Sequence, residues 1–226
     1  MPCREADPWR TAIHSWVQER IAILYPKFEL CRGDNEGQFS RSAARNIAAK
    51  KATGDIFIVW DGDTFCNDVH LQEALKIAAD SGLWAFPYGR YYNLDRPYTW
   101  KVLNYGAGDH FERPLSDEIE HDLYSTGGIY VITRDAWNDV GGYDENFVDW
   151  GYEDTAFGIA AQTILGAPSR VSEGWVSHLW HPAPESVRFD QPNIDYNRAR
   201  ARRYERAREG RDAKNVTRAL IREGRS

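Results

Sequence analysis

Apolar residues recur at two periods along the chain, and the alternation between them predicts strands and helices in turn. From Trp9 to Leu24 the spacing of Ile13, Trp16, Val17, Ile21 and Leu24 is helical, and the run stops before Pro26. Phe28–Cys31 reads as a short strand ending in the turn Gly33-Asp34-Asn35-Glu36-Gly37. A second helix is predicted from Ser40 to Thr53, closed by Gly54. Ile56-Phe57-Ile58-Val59-Trp60 is the clearest strand, an unbroken apolar run that predicts a central strand covered on both faces. A third helix follows Asn67 or Asp68, carries Leu71, Ala74, Leu75 and Ala78 on one face and ends at Gly82.

Further on, Leu83–Tyr88 predicts another strand, and residues 89–122 form an aromatic, Pro/Gly-punctuated connection of the length usually kept for function. Gly127-Gly128 opens a strand over Ile129–Thr133, followed by a short helix over Arg134–Val140. Trp150-Gly151-Tyr152-Glu153-Asp154 starts a helix that runs to Leu165 and closes at Gly166. A strand near Trp175–Leu179 leads into His178-Leu179-Trp180-His181-Pro182, and the last 30 residues read as helical and basic. Strands and helices in alternation predict an α/β sandwich around a mostly parallel sheet flanked by helices.

The length of 226 residues fits one domain with a full core. Net charge is −6, but residues 195–226 hold eleven Lys/Arg against five Asp/Glu, which leaves −12 on residues 1–194. An acidic body argues against a general nucleic-acid surface, and the Arg-rich end reads as a solvated helical face. Cys3, Cys31 and Cys66 are scattered and odd in number, which predicts a reducing, cytoplasmic setting. No apolar stretch approaches the ~20 residues needed to cross a bilayer.

Candidate chemistry clusters at predicted element ends. Asp61 and Asp63 follow the apolar strand, at the carboxyl edge where open α/β sheets bind ligands. Two carboxylates one residue apart can share a hard cation such as Mg²⁺ or Mn²⁺, with Gly62 allowing a tight turn. An Asp-x-Asp triplet alone arises by chance about once in a chain this acidic, so its position carries the weight. Imidazole suits Mn²⁺, which makes His178 and His181 candidate ligands, against the alternative of structural hydrogen bonding. Glu153-Asp154 at a helix start is either a cap or a general base taking a proton from an acceptor hydroxyl. Arg41 and Arg45, four apart, present one helix face to a diphosphate or to surface ion pairs.

Together these pieces resemble the GT-A glycosyltransferases, in particular family 2 and the C-terminal domain of the β-1,4-galactosyltransferases. The resemblance spans roughly residues 2–190. Its nucleotide half rests on Arg45–Ala49, Ala52–Asp55 and Ile56–Asp63, and its acceptor half on Gly127-Gly128, Gly141–Glu145 and Trp150–Asp154. It implies a GT-A (Rossmann-like) single domain over 1–194, with a nucleotide-binding half at about 1–88, an acceptor half at about 123–194, and a basic helical extension over 195–226.

By resemblance, donor contacts fall on Arg4, Asp34, Phe39, Arg41, Asp61 and Trp150, and metal contacts on Asp61, Asp63, His181 and His178. Glu153 would recognise the acceptor and Asp154 would be the base of an inverting, in-line displacement, with the 89–122 loop shielding the site. The implied cofactors are Mn²⁺ or Mg²⁺ and a nucleotide-sugar donor, a UDP-sugar. The acceptor would be a glycan, a protein, a small molecule or a modified nucleic acid. The family pattern opens with an apolar strand before its Pro-x-Arg, whereas none precedes Pro2 here; either an earlier start or another segment would supply it. Rival classes are a sugar nucleotidyltransferase, for which no Gly-rich phosphate loop is visible, and a non-catalytic carbohydrate-binding protein.

Overall fold

The computed structural model describes residues 8–34, 40–112, 118–119, 126–182 and 192–225. Helix α1 (Pro8–Leu24) begins on proline, whose fixed φ suits a first helical position, and buries Ile13, Trp16, Val17 and Ile21. Helix α2 (Arg41–Lys51) starts at Ser40, whose hydroxyl accepts from the Ala43 N–H at 3.2 Å. Strand β1 (Ile56–Trp60) and strand β2 (Thr64–Cys66) follow, then α3 (Asp68–Ser81), capped by the Asn67 side chain and ended by Gly82 at φ 71°. Strands β3 (Trp84–Phe86) and β4 (Arg90–Asn93), helix α4 (Arg96–Leu103) and strand β5 (Glu118–Ile119) come next. The connection predicted as irregular thus holds a helix and two short strands. The second half carries β6 (Ile129–Thr133), α5 (Arg134–Val140), α6 (Glu153–Leu165), β7 (Ser169–Arg170) and β8 (Trp175–His178). The chain closes with α7 (Pro192–Glu209) and α8 (Ala213–Glu223).

These strands make two four-stranded sheets, ordered β1-β6-β3-β7 and β2-β8-β4-β5. The expectation of a mostly parallel sheet is corrected: both sheets are mixed. β6 runs antiparallel to β1 and to β3, and only β3·β7 and β4·β8 are parallel pairs. An apolar run reports that both faces are covered, but strand direction is set by the path of the connection, which composition does not record. For the same reason β1 is not central. It lies at the border of its sheet, while β6, with Ile129, Tyr130, Val131 and Ile132 all fully buried, occupies the interior.

Phe28–Cys31 forms no strand. It runs beside the outer edge of β1 across a largely apolar cleft of about 570 Å³, and among the described residues no strand pairs with it. The catalytic candidates lie elsewhere: of the charged residues discussed above, Arg45 alone lines that cleft.

Two features of this frame position the site. Asp61-Gly62-Asp63 is the link from β1 in one sheet to β2 in the other, and the Thr64↔His178 register sets the end of β8 alongside it. At Gly62 a Cβ would lie 2.5 Å from the His14 ring, so glycine lets α1 approach the link without moving that side chain. The α7–α8 pair, predicted as a solvated basic end, instead packs on α6, with Ala201, Tyr204, Leu220 and Ile221 buried.

Candidate active site

Asp61 and Asp63 point to different tasks. Arg45 donates to one Asp61 oxygen at 2.6 Å and the Gly128 N–H donates to the other at 2.9 Å, so both oxygens are engaged within the protein. Asp63 instead meets the two histidines. Its Oδ2 lies 3.2 Å from His181 Nε2 and 3.6 Å from His178 Nε2. The ligand atoms of the three residues sit within 4.8 Å of one another. Leu179 N–H donates to the Asp63 carbonyl at 2.8 Å, which ties the histidine segment to the β1–β2 link.

Burial by itself would raise the Asp63 carboxyl, but His178 and His181 outweigh it and hold that carboxyl well below the usual range. Two ligands at right angles on an ion about 2.1 Å from each would stand about 3 Å apart, close to the Asp63–His181 separation. One carboxylate and two imidazoles fit Mn²⁺ better than Mg²⁺, which prefers oxygen alone.

The second cluster is organised by Arg45, whose side chain is 2% exposed. Besides Asp61, its guanidinium stands 2.9 Å from Asp154 and 3.7 Å from Glu153, and it lies over the Tyr143 ring at 4.8 Å. The Tyr143 hydroxyl donates to the same Asp154 oxygen at 3.3 Å. Tyr143 stacks on Phe157 with centroids 4.2 Å apart, fixing the ring from below. Asn46 holds the Tyr143 backbone from α2, donating to its carbonyl at 2.8 Å and accepting from its N–H at 2.9 Å.

Burial is the main cause that pushes Asp154 up to about 7; Arg45 opposes it, while Glu153 and Asp61 add to it. Glu153 is buried and receives the Gly151 N–H on Oε2 at 2.9 Å, while Oε1 faces Arg41 at 3.5 Å. Arg41 is the more open of the two arginines, 24% exposed against 2%. It therefore has a face available to an anion that Arg45 lacks.

Sequence-predicted residues thus divide. Asp63, His178 and His181 come together, as do Asp61, Glu153, Asp154 and Arg41 through Arg45. Trp150, three residues before Glu153, is 41% exposed. Asp34 is exposed, and no described contact joins it to either cluster. Arg4 and Phe39 lie outside the described residues. The central role of Arg45, the Tyr143–Asn46 support and the residues of α7 were not foreseen. Arg45 had one signal, its spacing of four from Arg41; the others depend on long-range contacts, 97 residues apart for Asn46–Tyr143 and 44 to 60 apart for α7.

Comparison with known proteins agrees with this architecture. The family described as glycosyl transferase family 2 matches residues 12–137, and that described as the N-terminal domain of galactosyltransferase matches residues 118–173. No curated protein matches in sequence. Among solved structures, the catalytic domain of Drosophila β1,4-galactosyltransferase 7, in complex with xylobiose, aligns at 17% identity and TM-score 0.50. The alignment covers 87% of this chain and 76% of that one. GalNAc-T7 with UDP, GalNAc and Mn²⁺ aligns at 14% identity and TM-score 0.51, over 82% of this chain but only 42% of the other. At these identities the two structures speak for the fold, whereas the family 2 match extends over more than half of the sequence. The chain therefore belongs to glycosyl transferase family 2 and is a GT-A glycosyltransferase resembling the β-1,4-galactosyltransferases.

Proposed function

We propose that this transferase moves a sugar from a UDP-sugar to an acceptor hydroxyl with inversion, using a divalent cation held by Asp63, His181 and His178. The observation that carries this reading is the meeting of those three side chains at Asp63, two residues beyond Asp61, which Arg45 links to Asp154. The UDP and Mn²⁺ in the GalNAc-T7 structure support the choice of donor and ion. Residues 1–88 would serve the nucleotide and 123–194 the acceptor, which is a glycan, a protein or a small molecule.

When bound, the cation would neutralise charge growing on the departing diphosphate. Arg41 lies next to the same region and adds a fixed positive charge. Asp154 takes the proton from the acceptor hydroxyl as that oxygen attacks the sugar C1 from the side opposite the leaving group. One carboxylate acting as base, without a second placed as nucleophile, gives inversion. Glu153, held by Gly151 and the arginines, is set to bind the acceptor beside that base. A carboxyl raised to about 7 suits this task, because a large share of it is still ionised at neutral pH and that share is basic enough to draw the proton.

A thermal-shift screen of nucleotide sugars tests the proposal. UDP-sugars should raise the melting temperature by several degrees with Mn²⁺ present and by far less with chelator. Asp63→Ala should abolish the Mn²⁺-dependent part. Equal stabilisation of parent and Asp63→Ala would overturn the metal assignment, and a product retaining the donor's anomeric configuration by NMR would overturn inversion.

A further inference from the structure

The segment that delivers Glu153 and Asp154 is bent in a way its own residues do not favour. Asp149 and Tyr152 hold left-handed backbone at φ 57° and 67°, and Gly151 lies between them at 106°. A non-glycine residue in that region is strained and persists only where its surroundings impose it. Helix α6 also begins without a side-chain cap from Tyr152. Something outside the segment must hold it.

On one side that support is Ser40, just before Arg41. It forms a bridge with Asp149, and its hydroxyl donates to the Phe147 carbonyl at 3.1 Å. On the other side it is α7. Asn197, fully buried, accepts the Val148 N–H at 3.2 Å and donates to the carbonyls of Val148 at 2.8 Å and Trp150 at 3.3 Å. One turn earlier Asn193 donates to the Asp149 carboxylate at 2.5 Å, and next to it Arg198 donates to the Tyr152 hydroxyl at 2.9 Å. Arg200 and Tyr204 then hold Asp144, at the other end of the same loop, at 2.5 and 2.8 Å.

Asn193, Asn197, Arg200 and Tyr204 recur at helical spacing, so one face of α7 carries the whole set. A helix docked only for adhesion would meet its neighbour through apolar side chains. Here apolar packing falls to Ala201, Tyr204 and Ala207, while polar groups grip backbone and carboxylates of a single loop.

We infer that Asn197 is a positioning residue for the acceptor side of the site, its amide holding the Val148–Trp150 backbone in the bend that aims Glu153 and Asp154. This rests on the roles proposed above for those two carboxylates. The basic C-terminal helix is then a working part of the transferase, coupled through the loop to Ser40 and so to Arg41.

Hydrogen–deuterium exchange on the full chain tests this without knowledge of the acceptor. Asn197→Ala should speed exchange over 148–152 by about tenfold or more while leaving 56–63 at the parent rate. Asn197→Asp keeps the bond from Val148 N–H but loses both donated bonds, so it should fall between; it carries the same comparison where the alanine variant does not fold. Arg203→Ala, which removes an ion pair with Glu223 at the half-exposed side of α7, should leave 148–152 unchanged. With UDP-galactose as the donor probe, Asn197→Ala should lower kcat about tenfold at an unchanged donor KM. Equal acceleration over 148–152 and 56–63 would mean general destabilisation, and unchanged exchange over 148–152 would mean no grip; either overturns the inference. Failure of UDP with Mn²⁺ to bind the parent chain would overturn the donor reading alone, since the exchange comparison uses no ligand.

Discussion

The two halves of the site are built on opposite plans. The Asp63–His178–His181 corner comes from two strand ends, and its side chains keep 23%, 26% and 12% of their surface exposed. The contacts described for these three side chains are chiefly with one another, and they present several ligand atoms towards one point. The Arg45 cluster is drawn from α2, the β1–β2 link, the 141–152 loop and α6, and its charges are paired with one another, although Arg45 Nε and Nη1 and Glu153 Oε1 make no hydrogen bond. On the proposed function, a corner that takes up a cation and releases a nucleotide works with open coordination. A base that must stand ready for a proton works only if its charge environment is set in advance. The contrast is between a half-finished polyhedron and a closed network.

Three experiments break or sharpen that contrast. The largest expected effect is on turnover. Asp154→Asn preserves shape but cannot accept a proton, so kcat should fall about 10²–10⁴-fold while Mn²⁺-dependent donor binding stays near the parent value. Steady-state kinetics beside calorimetry of UDP binding would show it, and a variant retaining full kcat would remove Asp154 from the chemistry.

Next in size is the loss of the hub. Arg45→Met leaves the buried Glu153 and the partly buried Asp61 and Asp154 without their shared cation, which should cost about 3–5 kcal/mol of stability by denaturant unfolding. A substitution in the metal corner such as His178→Ala should cost far less stability without metal, because that corner is partly solvated. Equal losses would erase the distinction between the two plans.

The smallest effect is on pH dependence. Asp154 is raised from 3.8 to about 7 in the folded chain, so the folded state holds a proton that the unfolded chain has released over that interval. Its stabilising contribution is complete below about pH 4 and is lost as pH climbs through about 7. Activity should move the opposite way, rising towards neutrality as the base ionises. Between pH 5 and 8 the melting temperature of the parent should therefore fall with rising pH, and that part of the fall should be missing from Asp154→Asn.

Much of the candidate site was readable from residue order, because the groups that the structure brings together sit at element ends marked by local signals. β1 is marked by five consecutive apolar residues, the metal corner by paired Asp and paired His, and α6 by Trp150–Asp154 before a helical run. What escaped reading was long-range. Nothing in Ile129–Thr133 says that it turns against both neighbours, or that it rather than β1 lies inside the sheet. Arg45 looks like any helical arginine until three carboxylates from distant segments close around it. The α7 residues were hidden by their polarity: Asn197 and Arg200 are the kinds of side chain expected in solvent, and periodicity searches register only apolar stripes. Their burial is specified by partners some 50 positions earlier.

The border position of β1 has a colloidal consequence. Ile56–Trp60 offers five apolar, high-β-propensity residues whose outer backbone groups meet no described strand, next to a largely apolar cleft. Such an edge is a template on which another extended chain can grow, and proteins usually blunt it with charge, proline or cover. Among the described residues the charges nearest the strand are Asp55 and Asp61 at its two ends, the latter bound to Arg45, with Lys27 and Glu29 lining the cleft beside it. Self-association at high concentration is therefore expected to start along this strand, with those few charges opposing it.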